Sequence, residues 1–386
     1  MPFRSIVGHH RVVDLLARAV ARDSLPPSLI LSGPEGVGKR RVALALAQAV
    51  NCLKPVRKES GFRSQDSGAT ARVTGAVLIP DSRFPIPVVD ACGECGTCRR
   101  IERGIHPDVL LVDEKGVHPE VLDVEVKEGS AVIPVGVVRE VTKVARFRPY
   151  EGRRRVVIID PADVMERPYG QNALLKILEE TPPATVFLLV TARPDVLLPT
   201  IRSRCPQIRF GALSVAEITE VLTRERGLSE RAARAAAIVA AGSVARALEA
   251  ASEETTGARS QALAVLQEAA TARDPRRLFE QMKAVLGLDR RQGTTPAAER
   301  EDVTLSLRAL SSLLRDVTLM QAAPEPPRGA ALDLANADLK KDLERVAASF
   351  GRQRVVRAFA AVDRALAALS GNANPKLVVD WLAFQM

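Results

Sequence analysis

A short apolar segment that runs directly into a glycine-rich loop restricts the fold of this chain more than any other feature. In SLILSGPEGVGKRRVALALAQAV, residues 28–50, apolar residues give way to Gly33, Gly36 and Gly38, then to Lys39 and a helical pattern. Glycines at this spacing let backbone N–H groups converge on phosphate oxygens at the positive end of the following helix, and the lysine reaches the terminal phosphates. Strand, loop and helix together predict a phosphate-binding loop in an α/β domain.

Arg40 interrupts this motif at the position after the lysine, where a serine or threonine hydroxyl normally binds Mg²⁺. A guanidinium has only donors and a permanent positive charge, so it cannot ligate a metal ion. In RRRVVIIDP a buried strand ends at Asp160, the place of the metal-binding aspartate, and Pro161 follows without a side chain that could activate water. We therefore expect no hydrolytic activity at this site. Binding of ATP or ADP by its phosphates alone stays open, as does hydrolysis by substitute residues.

Apolar strands and amphipathic helices alternate over the first half of the chain. DVLLVD, VVIID and TVFLLVT have the continuous apolar character of buried strands, and VGVVREVTKVARF and YGQNALLKILEE have helical spacing. This alternation predicts an open, mostly parallel sheet covered by helices on both faces. From about residue 213 the strand signals stop, and helices interrupted by GLDRRQGTTPAAERED and QAAPEPPRG run to Met386. The predicted fold class is α/β followed by all-α.

Residues 53–91 differ in character from the segments around them. Proline, glycine, serine and charged residues are scattered through this stretch. Such a composition predicts an insertion that is partly disordered, with a hairpin around Val73–Ile79.

Four cysteines flank the insertion. Cys52 closes the helix after the phosphate-binding loop, and Cys92, Cys95 and Cys98 follow the insertion. Four thiolates complete the tetrahedral shell of a structural zinc ion and leave no position for a catalytic water. The spacing also leaves open His106 as the fourth ligand, an iron–sulfur cluster, and a set of unlinked thiols.

Composition bounds the partners and the compartment. A net charge of +9 permits contact with a polyanion, whereas 3% aromatic residues argue against stacking platforms for single-stranded nucleic acid. No apolar run approaches the roughly 18 residues of a membrane span, and MPFRSIVGHH lacks the apolar core of a signal peptide. We therefore expect a cytoplasmic protein without membrane contact, in which clustered cysteines stay reduced and favour metal over disulfides.

Six segments in a fixed order carry a more specific signal. They are IVGHHRVVDLLARAV, GPEGVGK, CGECGTCRRIERGIHPDV, VVIIDPADVM, NALLKILEETPPATVFLLVT and LLPTIRSRC. This series resembles the bacterial clamp-loader ATPases of the AAA+ class, and within them the delta-prime-type subunits of DNA polymerase III. The resemblance is dense over residues 5–212 and fainter beyond, in GSVARAL and NANPKLVVDWL.

The resemblance implies three domains. An AAA+ nucleotide-binding-like domain would span residues 1–212, with a zinc module at 52–98 that contains the insertion 53–91. A helical lid would follow at 213–256, and a helical collar for oligomerisation at 257–386.

The resemblance also implies roles for single residues. Arg204, in the motif Ser203-Arg204-Cys205, would act in trans as an arginine finger toward the γ-phosphate of a neighbouring subunit. Thr191 would be sensor 1 and Arg246 sensor 2 of the degenerate nucleotide site.

The implied function is that of a stator in the clamp loader, the assembly that loads the sliding clamp onto primed DNA in replication. The chain would join gamma/tau and delta subunits in a hetero-pentamer, and would meet the sliding clamp and primer–template DNA through it. Gamma/tau subunits carry an intact GK-[ST] loop and an acidic residue after the aspartate, so Arg40 and Pro161 favour the delta-prime type. The alternatives are an ATP-hydrolysing gamma/tau-type subunit and a zinc-dependent DNA-binding module.

Overall fold

Alternating strands and helices build the amino-terminal half as the sequence predicts. The computed structural model describes residues 1–59, 87–118, 120–122, 124, 132–251, 253–271, 279, 282, 296–322, 334–370 and 373–385. The strands are β1 (Ser28–Ser32), β2 (Val56–Glu59), β3 (Pro87–Asp90), β4 (Val109–Asp113), β5 (Gly116–Val117), β6 (Arg155–Ile159), β7 (Thr185–Thr191) and β8 (Gln207–Arg209). The hairpin predicted around Val73–Ile79 lies outside the described residues.

Six strands form one sheet in the order β5-β4-β6-β7-β1-β8. All neighbours pair in parallel except β4 and β5, so the prediction of a mostly parallel sheet is confirmed. Strand β1, next to the edge strand β8, pairs with β7 from Ser28 opposite Phe187 to Ser32 opposite Thr191. This register places Thr191 beside the first residues of the phosphate-binding loop.

Helices cover both faces of the sheet, because alternate residues of each buried strand point to opposite sides. The helices of this half are α1 (His10–Ala21), α2 (Lys39–Asn51), α3 (Gly96–Arg103), α4 (Val135–Ala145), α5 (Tyr169–Glu179) and α6 (Pro199–Arg202). Leu31 and Ile158 share one core with Leu46 of α2. Ile30 and Ile159 share the opposite core with Leu174 of α5.

The ends of the inserted segment are ordered by pairing rather than left as loops. Strands β2 and β3 form a two-stranded antiparallel sheet, with Val56 opposite Asp90. The sequence did not predict these strands, because both are short and proline or charged residues interrupt their apolar pattern.

The chain divides into two compact units, residues 1–213 and 214–386. The helices of the second unit are α7 (Val215–Arg226), α8 (Glu230–Val239), α9 (Val244–Ala250), α10 (Glu253–Thr271), α11 (Pro296–Ala322), α12 (Lys340–Ser349), α13 (Arg352–Ser370) and α14 (Pro375–Ala383). Leu310, Leu314 and Val362 belong to one large core there. A division of this unit into lid and collar stays a prediction.

Helix α11 corrects one sequence-based interpretation. The stretch GLDRRQGTTPAAERED was predicted to interrupt the helices, but its last seven residues, from Pro296 on, are helical. Proline is well suited to the first turn of a helix, since its fixed φ is helical and its missing N–H would have no partner there.

Over the part of the chain that the structure describes, no helix is both long enough and apolar enough to cross a bilayer.

Candidate functional site

The phosphate-binding loop joins the carboxyl end of β1 to the first turn of α2. At Gly33 φ is 151°, and a Cβ would lie 2.4 Å from the carbonyl oxygen of Phe210. Phe210 reaches that position because its N–H donates to Ser32 O at 2.7 Å. Gly38, with φ of 100°, ends the loop in the left-handed region. The loop therefore requires glycine at both ends for backbone reasons that are independent of any ligand.

The side chain of Lys39 folds back and contacts the backbone of the phosphate-binding loop. Its Nζ donates to Gly33 O at 2.7 Å and to Pro34 O at 2.6 Å, and only 7% of the residue is exposed. Burial lowers the pKa of Lys39, an effect that the charge of Asp160 partly offsets. The ammonium would have to exchange these two carbonyl oxygens for phosphate oxygens before it could hold a nucleotide.

Arg40 lies between two carboxylates at the carboxyl edge of the sheet. Its Nη2 is 3.5 Å from Asp113 Oδ2, and its Nε is 3.7 Å from Asp160 Oδ2. Burial raises the pKa of Asp160, and the positive charges of Arg40 and Lys39 oppose that rise. A fixed organic cation thus accompanies the aspartate that the sequence assigned to metal binding. The sequence-based prediction did not include Asp113 in this site, although a carboxylate at the carboxyl end of a parallel strand could have indicated it.

Thr191 is engaged by neighbours that sequence reasoning also missed. Its Oγ1 donates to Asp163 Oδ1 at 2.8 Å, and the Nε of Arg193 donates to Asp163 Oδ2 at 2.9 Å. Asp163 is nearly buried and lies three residues beyond Asp160. Its carboxylate is therefore held by a hydroxyl and a guanidinium rather than left free as a base.

Arg204 lies near the amino end of strand β1, whereas the phosphate-binding loop follows its carboxyl end. Its carbonyl oxygen accepts a bond from Ser28 Oγ at 3.3 Å, and Ser28 is the first residue of β1 whereas the loop follows the last. The five residues of β1 separate these two ends of the strand by about 13 Å. The side chain of Arg204 is 35% exposed, and its Nη2 pairs with Glu179 Oε1 at 2.6 Å.

Six of the seven predicted nucleotide-site residues lie together in the first unit, and the seventh lies in the second unit. Gly33, Gly36, Gly38, Lys39, Asp160 and Thr191 share the carboxyl edge of the sheet, as the strand order requires. Arg246 lies in the second unit, in the first turn of α9, where its N–H donates to the capping hydroxyl of Ser243.

The four cysteines that flank the insertion form one cluster. The sulfur atoms of Cys52, Cys92, Cys95 and Cys98 all lie within 4.8 Å of one another. Cys52 Sγ and Cys92 Sγ are 3.5 Å apart, and Cys92 Sγ and Cys98 Sγ are 4.0 Å apart. A tetrahedral ion with metal–sulfur bonds of about 2.3 Å requires sulfur separations of about 3.8 Å. The donor set and its spacing fit a four-thiolate metal ion.

The thiols differ in their readiness to ionise. Burial alone would raise the pKa of Cys95, but the backbone N–H groups of Cys98 and Leu53 donate to its sulfur, and its pKa falls to about 6. Burial raises the pKa of Cys98.

His106 is not part of the cysteine cluster. It is fully buried before β4, where its Nδ1 accepts the N–H of Asp108 at 3.1 Å and its Nε2 is 3.2 Å from Glu151 Oε1. The spacing alternative in which this imidazole supplies the fourth ligand is therefore wrong.

Comparison with known proteins finds similarity to subunits of DNA polymerase III. Residues 85–214 match a family described as DNA polymerase III, delta subunit. The chain is 29% identical to the DNA polymerase III subunit tau/gamma of Haemophilus influenzae over 58% of its own length and 26% of the relative. It thus spans about a quarter of that relative.

Two further relatives differ in how much of the chain they cover. The subunit gamma/tau of Mycobacterium tuberculosis is 26% identical over 98% of this chain and 59% of its own length. The subunit delta' of Pseudomonas aeruginosa is 32% identical over 46% of this chain and 41% of its own. On these matches the chain is similar to subunits of DNA polymerase III.

Proposed function

We propose that the chain is a delta-prime-type subunit, the stator of a clamp loader whose ATP is hydrolysed on neighbouring subunits. The observation that carries this proposal is the guanidinium of Arg40 between Asp113 and Asp160. In an active site of this class, a hydroxyl and a magnesium ion would be needed there. A permanent cation that pairs with the metal-binding aspartate repels Mg²⁺ and gives it no ligand.

Two more features support an inactive nucleotide site. Pro161 follows Asp160 and offers no base for an attacking water. The next carboxylate, Asp163, is already bonded to Thr191 and Arg193. ATP or ADP, if it binds at all, would be held weakly through its phosphates by the loop and Lys39, with Thr191 and Arg246 as degenerate sensors.

Arg204 is our candidate for the arginine that this subunit lends to its neighbour. It lies about one strand length from its own phosphate loop, which supports a role toward another subunit rather than toward this one. Its partner Glu179 is 49% exposed, and exposed ion pairs contribute at most about 1 kcal/mol. The guanidinium could therefore leave that carboxylate for a γ-phosphate at little cost.

The cysteine cluster is proposed as a structural zinc site. Cys52, Cys92, Cys95 and Cys98 would hold Zn²⁺ and join the two ends of the inserted segment. Four protein ligands leave no open position, so the metal would supply stability and no chemistry.

The second unit is proposed to carry a helical lid and an oligomerisation collar. Its last two helices expose large apolar side chains, which suits contact with other subunits. These side chains are Val356, Phe359, Leu377 and Trp381, and Phe384 directly follows the last helix. We propose gamma/tau and delta subunits as partners in a hetero-pentamer. Contact with the sliding clamp and primer–template DNA would come through that complex, in the cytoplasm.

The test is Arg204→Ala in a complex reconstituted with the gamma/tau-type and delta-type subunits of the same organism. Arginine fingers contribute about 10³-fold or more to hydrolysis, so the site that faces this chain should lose that factor. Assembly, measured by size-exclusion chromatography, should not change. Arg202→Ala is the matched control, because Arg202 lies in the same turn, is 40% exposed and pairs only at the surface with Asp195. Clamp-stimulated hydrolysis that is unaltered by Arg204→Ala would remove the finger assignment.

An ATP-hydrolysing gamma/tau-type subunit is the second candidate. The observation in its favour is the gamma/tau relative whose similarity extends over 98% of this chain. ATP turnover by the isolated chain, abolished by Lys39→Ala, would select this candidate over the stator.

A further inference from the structure

Three of the four clustered cysteines have their backbone carbonyl oxygens held by side chains from outside the cluster. Arg4 Nη2 donates to Cys92 O at 2.8 Å, Gln48 Nε2 donates to Cys98 O at 2.8 Å, and Arg153 Nη2 donates to Cys52 O at 2.9 Å. The three donors come from the amino-terminal turn, from α2 and from the segment before β6. Segments far apart in sequence therefore converge on the backbone of the candidate metal ligands.

Gln48 is the least expected of the three donors. It is fully buried in a stretch of α2 that is otherwise alanine, leucine and valine. An amide in such surroundings is unfavourable unless it is hydrogen-bonded. Its bond goes to Cys98 O, which fixes the first turn of α3 and hence the direction of the Cys98 side chain.

Arg4 makes the most extensive contacts. Besides Cys92 O, its guanidinium donates to Ala91 O at 2.7 Å through Nη1 and pairs with Asp90 at 3.3 Å. The N–H of Phe3 also donates to Asp90 Oδ1 at 2.7 Å. Two backbone carbonyls next to the cluster are thereby locked to one planar group.

Charge gives the two arginines a second effect. Four thiolates around a divalent cation carry a net charge of −2, and two guanidiniums bound to ligand carbonyls lie beside that charge. Hydrogen-bonding partners of this kind orient metal ligands and raise affinity for the metal, and losing one typically lowers it by about 10–100-fold.

We propose that Arg4, Gln48 and Arg153 are positioning residues that preset the sulfurs of Cys92, Cys98 and Cys52, respectively, for a tetrahedral metal ion. This inference rests on the proposed binding of zinc by the four cysteines. It assigns a role at that site to three residues that are not themselves metal ligands. Without them the same four cysteines would still bind the ion, but with lower affinity and faster release.

Competition between the full-length chain and a chromogenic chelator for Zn²⁺ tests the proposal. Arg4→Ala, Gln48→Ala and Arg153→Ala should each lower the affinity by about 10–100-fold. Arg4→Lys should recover only part of the loss, since an ammonium keeps the charge but cannot hold two carbonyls in a fixed plane. Arg103→Ala, at an exposed position of the neighbouring α3, is the control and should leave the affinity unchanged.

Substitution with Co²⁺ supplies a readout that a general loss of stability would not produce. Bound to four thiolates in a tetrahedron, Co²⁺ has strong visible and charge-transfer absorption; the variants should weaken or shift it while circular dichroism stays the same. Wild-type chain that binds neither metal would overturn the zinc proposal itself. Wild-type chain that binds both, with the three alanine variants binding as tightly and with the same spectrum, would overturn only the positioning role.

Discussion

At the scale of the residue, the glycines of the loop are all present, but Arg40 stands in place of the hydroxyl that would bind a metal ion. The backbone conformation itself requires glycine in the loop, since a Cβ at Gly33 would lie 2.4 Å from Phe210 O. The fold therefore requires these glycines whether or not the loop binds a nucleotide. Arg40 then pairs with Asp113 and Asp160, two neighbouring carboxylates that would otherwise have only the nearby charge of Lys39 to offset them.

Replacing Arg40 should restore sensitivity to magnesium. Arg40→Thr removes the cation and adds a hydroxyl ligand, so we expect Mg²⁺ to strengthen ADP binding by about tenfold or more, equivalent to 1.4 kcal/mol. Hydrolysis should still be absent because Pro161 supplies no base. Titration calorimetry with and without Mg²⁺ measures the effect. Arg40→Met, which removes the charge and adds no ligand, is the control; an equal response of both variants to Mg²⁺ would contradict the assigned role of the hydroxyl.

At the scale of the element, Asp108 fastens the segment before β6 to the amino end of β4. Its carboxylate is fully buried and accepts the N–H groups of Tyr150, Glu151 and Gly152 at 2.7–2.8 Å, together with Arg155 Nη2 at 2.8 Å. Burial alone would raise the pKa of Asp108, but these donors outweigh it and lower the pKa.

Asp108→Ala should therefore destabilise the first unit, and the effect should depend on pH. Arg155, 5% exposed, would lose its carboxylate partner, and breaking a buried ion pair costs about 3–5 kcal/mol. Because the folded pKa is depressed, this stabilisation is complete above the unfolded carboxyl pKa of about 3.9 and is lost as the pH falls below it.

Urea unfolding at pH 7 and near pH 3 measures this difference between wild type and Asp108→Ala, which should shrink at the lower pH. The control is Asp195→Ala, since Asp195 is 91% exposed in a surface pair and should contribute less than about 1 kcal/mol. A difference that is the same at both pH values would exclude the charged form of Asp108 as the cause.

At the scale of the whole molecule, each of the two compact units offers a surface that the proposed function would use. The first unit holds the degenerate loop, the cysteine cluster and Arg204, and the second exposes apolar side chains on α13 and α14. Exposed apolar patches of this kind mark contact sites with other proteins. The proposed stator needs both surfaces, one for a neighbour's nucleotide and one for assembly.

Leu377→Glu should weaken association with the partner subunits without unfolding the chain. Leu377 is 68% exposed, so its replacement should change stability by less than about 0.5 kcal/mol. A charge inside an interface should lower affinity by about tenfold or more. Analytical ultracentrifugation of the mixed complex measures the change. Lys376→Glu places the same charge on the adjacent exposed residue and is the control; equal assembly by wild type and Leu377→Glu would place the interface elsewhere.

Much of the fold was predictable because local pattern and tertiary environment agree. Strands β1, β6 and β7 are buried on both faces, so their sequences are continuously apolar and easy to recognise. Strands β2 and β3 were missed because they gain stability from pairing with each other, and neither has an apolar pattern of its own. The start of α11 was missed because proline resembles a break in sequence but suits a first helical turn.

The sequence by itself determined the sheet, the loop and the four cysteines, since each depends on residue types at short spacing. Only the tertiary structure decided which side chains occupy the remaining positions around them. Asp113 and Arg40 lie far apart in sequence and meet because the sheet order brings the carboxyl ends of its strands to one edge. Arg4, Gln48 and Arg153 reach three cysteine carbonyls from separate segments, and no spacing rule connects them, because hydrogen bonds form between neighbours in space rather than in sequence.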